Sequence, residues 1–354
     1  MTTLEGFVPD YRHVVAAARN QEAARPPLYE HLVDLPVVEA VTGRALAGLL
    51  EGDEADGREF FRCYTSFFRD LGYDTVSFEY CVTNVLPGGG ALLSEANPPA
   101  IRDRADFEAY PWAELPGLYA AAADRQFGWL AEALPAGMKA VGGPGNGVFE
   151  CVQDLTGYLN LCYLTADDPE LYADLFRAMG DAHAAIWAHF LARHGDAYAV
   201  CRCGDDLGYK TGTLLPPADI PRHIVPQYAR ITALVHAAGK PFLLHSCGDT
   251  LAVMDAIIDG AGIDAKHSNE DVIAPFGAWV ERFGGRIGNF GGLDVDFVCR
   301  ADESDIRAAA ADLVARYGRG HGGVAFGTGN SIAHYVPVAH YLAMVESYRA
   351  ARGE

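Results

Sequence analysis

No stretch of this sequence approaches the 18 consecutive apolar residues of a membrane span, and the opening MTTLEGFVPDYRHVV lacks the basic segment and long apolar run of a secretory leader. A cytoplasmic location is the expectation. Basic residues are scarce: 27 Lys and Arg face 47 Asp and Glu, a formal net charge of −20, with no basic stripe to offset it. Such a surface repels nucleic-acid phosphates and anionic lipid, which excludes both as expected partners. The eight cysteines have no repeated spacing, so a disulfide framework is not expected and most should be reduced core residues. Also missing are a nucleophile elbow, a Walker sequence, His-Glu-x-x-His, an internal repeat, and a Gly-x-Gly-x-x-Gly turn after the first strand. Hydrolase, kinase and dinucleotide-binding readings therefore lack support.

What remains is the profile of a globular enzyme: 354 residues, half of them hydrophobic, with 39 glycines. Eight short apolar runs read as strands, at 26–32, 74–80, 138–143, 197–203, 241–247, 263–268, 286–292 and 323–329. Helical patterns separate them. The clearest covers 168–194, where Asp168 caps, Pro169 opens and Gly195 follows, and Leu171, Leu175, Met179, Ile186 and Phe190 trace one face. Others cover 217–238 and 302–316, closed by Gly239 and Gly318. Eight alternating units predict a single (β/α)8 TIM barrel over about residues 25–350, with an N-terminal helical extension. A Gly/Pro-rich loop at 82–100 is long enough to be a binding loop or lid.

In such a barrel, side chains at the C-terminal strand ends line the active site. His245 and Cys247, in PFLLHSC, are two apart and point the same way, a donor set suited to zinc. His267 ends the next strand. The bland alternative makes Cys247 a small core residue and His245 an internally bonded one. Asp205 and Asp206 in CRCGDDLGYKTG suit acid/base work or, equally, accept turn hydrogen bonds, while Cys201 and Cys203 read as structural. Glu79, at the end of an apolar strand, must be solvated, metal-bound or paired, for instance with Arg202. Around these, His31, Asn84, Gly143 and Asn146 of GGPGNGVFE, Tyr209, Asp294 and Asn330 are expected to face substrate.

Together DDLGYKTGTLLPP, KPFLLHSCGD, GGLDVD and GTGNSIAHYVP followed by YLAMVESYR resemble the uroporphyrinogen decarboxylase superfamily, in order from about residue 25 to 350. The resemblance implies a (β/α)8 barrel. True decarboxylases of that superfamily carry an arginine-rich signature after the first strand, which LYEHLVDLPVVEAVTGR lacks. Their essential aspartate aligns with Glu79, and their late Gly-His-Gly with Gly329–Ser331. The other major branch, corrinoid-dependent methyltransferases, binds zinc through His-x-Cys and a later cysteine. His245 and Cys247 match the first two ligands, and Asn330 stands at the third. Cobalamin-independent methionine synthases, distantly similar, take a ligand from the following strand, which implies His267 here, with Glu79 or water completing the site and Glu270 supporting an imidazole.

The expected function is accordingly zinc-assisted methyl transfer between a small substrate or thiol and a corrinoid carried by a separate protein or free in solution. A homodimer is a further expectation. Two competing readings are a metal-free lyase of decarboxylase type, with Glu79, Asp205 or Asp206 as proton donor, and a non-catalytic binding barrel.

Overall fold

The computed structural model describes residues 7–94 and 96–354. Seven parallel strands follow one another around a curled sheet in chain order: β1 (Thr75–Cys81), β2 (Lys139–Gly145), β3 (Tyr198–Gly204), β4 (Phe242–His245), β5 (Ala265–His267), β6 (Gly288–Leu293) and β7 (Val324–Thr328). Each coincides with an expected run to within a few residues. The run expected at 26–32 occupies the eighth place, but as bridges and not as a ladder. Leu28 pairs with Phe326 and Val33 with Ile332, and toward β1 the contact is a bond from Ser77 Oγ to the Glu30 carbonyl. Pro26 and Pro27, which have no N–H, keep the pairing from starting before Leu28, although the Pro27 carbonyl accepts from Phe326 N. The fold is TIM-barrel-like, as expected.

The expected N-terminal extension contains helix α1 (Arg12–Ala18), which closes the N-terminal end of the barrel. Val14, Ala17 and Ala18 join the interior layer of Tyr29, Val141, Leu243, Ala265, Phe290 and Ala325. Its approach depends on Gly288 and Gly323, where a Cβ would come within 2.2 and 1.9 Å of the Ala17 carbonyl oxygen. Burial at this end leaves the opposite, C-terminal mouth for chemistry.

Outside the sheet, the 26-residue helix α2 (Pro169–His194) buries the predicted face of Leu171, Leu175, Met179, Ile186 and Phe190. Gly143 belongs to this layer. A Cβ there would meet Trp187 and Phe190 of α2 at 3.0–3.1 Å, so its lack of a side chain serves strand–helix packing. The pattern at 217–238 divides into a π turn at Ile220–Ile224 and an α-helix at Val225–Ala237, with Pro221 and Pro226 withholding ladder N–H groups.

One buried carboxyl ties the eighth segment to the barrel. Glu30 is 1% exposed and accepts bonds from Thr328 N (3.2 Å), Thr328 Oγ1 (2.6 Å) and Tyr73 OH (3.4 Å). Burial pushes its pKa up to about 8. Between the ordinary carboxylate range and pH 8 the folded state thus holds a proton that the unfolded state has lost, and stability falls as pH rises through that window. Lys266, whose buried amine is lowered to about 7, acts oppositely above neutrality. The comparison must therefore be with a variant. Glu30→Gln should flatten the decline in Tm between pH 5 and 9 by several degrees relative to the parent in parallel thermal melts. Superimposable pH profiles would refute this role for Glu30.

Candidate active site at the C-terminal mouth of the barrel

Parallel register sets the centre of the site. His245 ends β4 opposite His267 at the end of β5, and paired residues on neighbouring strands point the same way. Their rings meet edge to edge, with Nδ1 to Nδ1 at 2.7 Å. The other nitrogen of His267, Nε2, lies 3.1 Å from the Thr328 carbonyl oxygen, which can only accept. Burial holds both imidazoles neutral, lowering His267 to about 3 and His245 well below its ordinary value. One arrangement of protons satisfies these contacts. His267 carries its proton on Nε2, its bare Nδ1 accepts from His245 Nδ1–H, and the lone pair of His245 is left on Nε2. That lone pair points to Cys247 Sγ at 3.3 Å and Asp206 Oδ1 at 3.7 Å.

Cys247 follows the strand end, where its N–H is held by Asp206 Oδ1 at 2.8 Å. Its sulfur receives Asn330 Nδ2 at 3.3 Å and lies 3.8 Å from Ser268 Oγ. Burial, with the nearby Asp206 carboxylate, raises the thiol's pKa. Ser268 itself sits at φ 122°, a region that residues with a side chain rarely occupy, next to the chemistry as strained residues commonly are.

Two groups of side chains bring possible ligand atoms within 4.8 Å of one another: His31, His245 and His267, and Asp206, His245 and Cys247. The first is badly shaped for an ion. His31 stacks on His245 at 3.6 Å with planes 8° apart, and imidazole lone pairs lie in the ring plane, so two parallel stacked rings cannot converge on one metal. In addition, two nitrogens on one tetrahedral zinc stand about 3.3 Å apart, whereas 2.7 Å is a hydrogen bond. In the second group the separations of 3.3 and 3.7 Å lie close to the roughly 3.5 and 3.4 Å of tetrahedral sulfur–nitrogen and oxygen–nitrogen edges. His267, expected as a ligand, has both ring nitrogens engaged here, Nδ1 with His245 and Nε2 with the Thr328 carbonyl. It is also His267, and not Glu270, that supports the imidazole; Glu270 accepts from Gly248 N at 3.3 Å.

Glu79 is paired with Arg202 at 2.6 Å, and all three nitrogens of this fully buried guanidinium are engaged, Nη1 also reaching Tyr29 OH (3.0 Å) and the His31 carbonyl (2.6 Å). Asp205, fully buried, accepts from Phe149 N (3.0 Å), Glu150 N (2.9 Å) and Tyr228 OH (2.5 Å). It thereby caps helix α3 (Val148–Thr156). Burial pushes its pKa up against these bonds. Of the expected acid pair, only Asp206 is open to solvent, 41% exposed.

The remaining residues spread over the same mouth. Asn146, at φ 60°, accepts from Thr83 Oγ1 and donates to Glu150. Asp294 caps the helix Val295–Arg300 and also accepts from Asp271 N at 2.7 Å. A cleft of about 250 Å³ is lined by Lys210, Asn269, Glu270, Asp294, Tyr335 and Asn330, whose amide bonds the Cys247 sulfur. Tyr209 is 63% exposed on a hairpin above it, and Asn84 is exposed in the 82–100 loop. His31 is 95% buried, and its Nδ1 has no partner among the described residues. Glu150 is the site residue that sequence reasoning overlooked, because it lies inside a helix and ends no strand.

The family model for uroporphyrinogen decarboxylase (URO-D) matches residues 130–351, which include β2 through β7 and the Asp206, His245, Cys247, His267 and Asn330 group. Among solved structures, a methyltransferase from Methanosarcina mazei aligns with a TM-score of 0.76 at 15% identity, covering 97% of this chain and 99% of its own. A protein assigned as a vitamin-B12-independent methionine synthase from Listeria monocytogenes aligns at 0.52 with 12% identity, covering 92% and 98%. At such identities the likeness is one of fold. No curated protein gives a significant match. No helix of the described residues is long and apolar enough to cross a membrane. With the family model spanning well over half of its length, the chain belongs to the uroporphyrinogen decarboxylase family.

Proposed function

We propose that this chain is a zinc-assisted methyltransferase, passing a methyl group between a small substrate or thiol and a corrinoid that a separate protein carries or that binds as free cobamide. The observation that carries the reading is the bare Nε2 of His245 aimed at Cys247 Sγ and Asp206 Oδ1. His245, Cys247 and Asp206 would hold the ion, a nitrogen, sulfur and oxygen set that zinc accepts while keeping one position open. When bound, zinc supplies Lewis acidity, lowering the pKa of a thiol or polarising a methylated heteroatom.

The chain's own residues do the rest. His267, anchored on the Thr328 carbonyl, fixes the His245 tautomer. Asn330 donates its amide to the Cys247 sulfur, which places it beside the ligand and not in the ligand set. Arg202 favours the lyase reading little, since its nitrogens are already bonded to Glu79, Tyr29 and His31 and are not presented to substrate carboxylates.

The test is loss of the cobalt(I) absorbance of free cob(I)alamin when zinc-loaded protein is mixed with a panel of methylated ethers, amines and thioethers. Donor-dependent loss that chelation abolishes supports the reading. Chelator-resistant release of carbon dioxide from a carboxylated substrate would replace it with the lyase. His267→Phe should cost about 10- to 100-fold in zinc affinity, because His245 then loses the acceptor that fixes its tautomer. Unchanged affinity in a chelator competition would remove His267 from the account.

A further inference from the structure

Four carboxyl groups crowd the barrel mouth, and three have strong partners. Glu79 has Arg202, Asp205 has two backbone N–H groups and the Tyr228 hydroxyl, and Asp206 has the Cys247 N–H. The fourth, Glu150, does not. It stands in the first turn of α3, directly after β2, and its backbone N–H is bonded to Asp205, which sets its side chain among the other acids. Oε2 receives one neutral donor, Asn146 Nδ2, at 3.0 Å. That amide is held in place, because Asn146 turns back at φ 60° and its Oδ1 accepts from Thr83 Oγ1 at 2.7 Å. The other oxygen, Oε1, has no protein partner among the described residues. Glu79 is neutralised by Arg202, but a negative charge on Glu150 would still meet those of Asp205 and Asp206 with only a neutral amide to offset it.

We propose that Glu150 stands at the barrel mouth as a neutral carboxylic acid and gives its proton to the heteroatom from which the methyl group departs. The proton-donor role rests on the methyl-transfer reading above. In the step, the carbon–heteroatom bond breaks as the methyl carbon bonds to the acceptor, a cobalt(I) corrinoid. The electron pair of the broken bond stays on the heteroatom, which takes the Glu150 proton. Glu150 is left as a carboxylate and is reprotonated from solvent. Burial first, and then the charges of Asp205 and Asp206, raise its pKa well above the carboxylate range, consistent with this placement. Should zinc neutralise Asp206, burial and the charge of Asp205 remain. The division of labour is that of acid-catalysed sites in which neighbouring carboxyls are pushed apart in pKa.

Infrared difference spectroscopy tests the protonation state without turnover. At neutral pH, parent minus Glu150→Gln should show the carbonyl stretch of a neutral carboxyl, in both zinc-free and zinc-loaded protein. The subtraction cancels the contribution of Glu30. A carboxylate stretch in its place overturns the proposal. For the proton-donor role, Glu150→Gln should slow transfer from an aryl methyl ether roughly a hundredfold more than from a methylsulfonium, whose leaving group needs no proton. Equal losses with both donors also overturn it. A neutral-acid band together with no transfer by the parent from either donor would instead strike the methyl-transfer reading, so the two failures are distinguishable.

Discussion

Cys247→Ala is expected to lower zinc affinity by roughly a hundredfold or more, the largest metal-binding effect of any single substitution in this chain. The total binding free energy of a zinc site, about 10–16 kcal/mol where four ligands contribute, allots several kcal/mol to each. A thiolate carries the largest share in a set whose other members are a neutral imidazole and a half-exposed carboxylate. Losing it leaves His245 Nε2 and Asp206 Oδ1, 3.7 Å apart, which is too few ligands to hold the ion against a chelator. The side chain is small and lies beyond the end of β4, so the barrel should survive its removal. Competition with a chromogenic chelator measures the change, and Asn330→Ala is the control. It removes the amide bond to the same sulfur, at 3.3 Å, and should cost far less. Equal losses from the two substitutions would mean that Cys247 is held by packing and does not bind the ion.

The second large effect concerns stability. Glu79→Leu should destabilise the fold by about 3–5 kcal/mol, because it strands a guanidinium whose side chain is 0% exposed. With unfolding entropy of roughly 2.1 cal/mol/K per residue, that corresponds to about 4–7 °C in Tm for a chain of this length. The double variant Glu79→Leu/Arg202→Met should recover much of the loss, since replacing both members of a buried pair by apolar groups removes the uncompensated charge. Recovery is measurable in thermal melts of the three proteins. If Glu79→Leu instead kept the parent Tm and lost only turnover, Glu79 would belong to the chemistry, as the strand-end position first indicated.

These contrasts show what a linear sequence carries. Strand positions were legible because apolar runs bounded by helical patterns are local signals, and each strand lies within a few residues of its run. The eighth has the expected place but pairs only through bridges at Leu28 and Val33, and Glu30 between them turns its carboxyl to Thr328. The His-x-Cys pair was legible for the same local reason, since residues two apart share a face of a strand. Whatever depends on neighbours distant in sequence was not. His267 was found beside His245, yet only the Thr328 carbonyl, 61 residues away, determines that it orients the imidazole. For Asp205 acid/base work and backbone hydrogen bonding were equally open, and only the start of α3 against it, 55 residues earlier, shows it capping a helix. Glu150 gave no sequence signal, because apart from Asn146 the groups around it, Asp205, Asp206 and Glu79, come from the ends of other strands.

The central claim is a zinc centre built on His245 Nε2, Cys247 Sγ and Asp206 Oδ1. X-ray absorption at the zinc edge of zinc-reconstituted protein tests it most directly, since sulfur and nitrogen or oxygen neighbours separate by distance. The account predicts one sulfur at about 2.3 Å and two or three nitrogen or oxygen neighbours at about 2.0–2.1 Å, with the sulfur shell absent from Cys247→Ala. A sulfur-free shell in the parent, or a protein that binds no zinc, would contradict it.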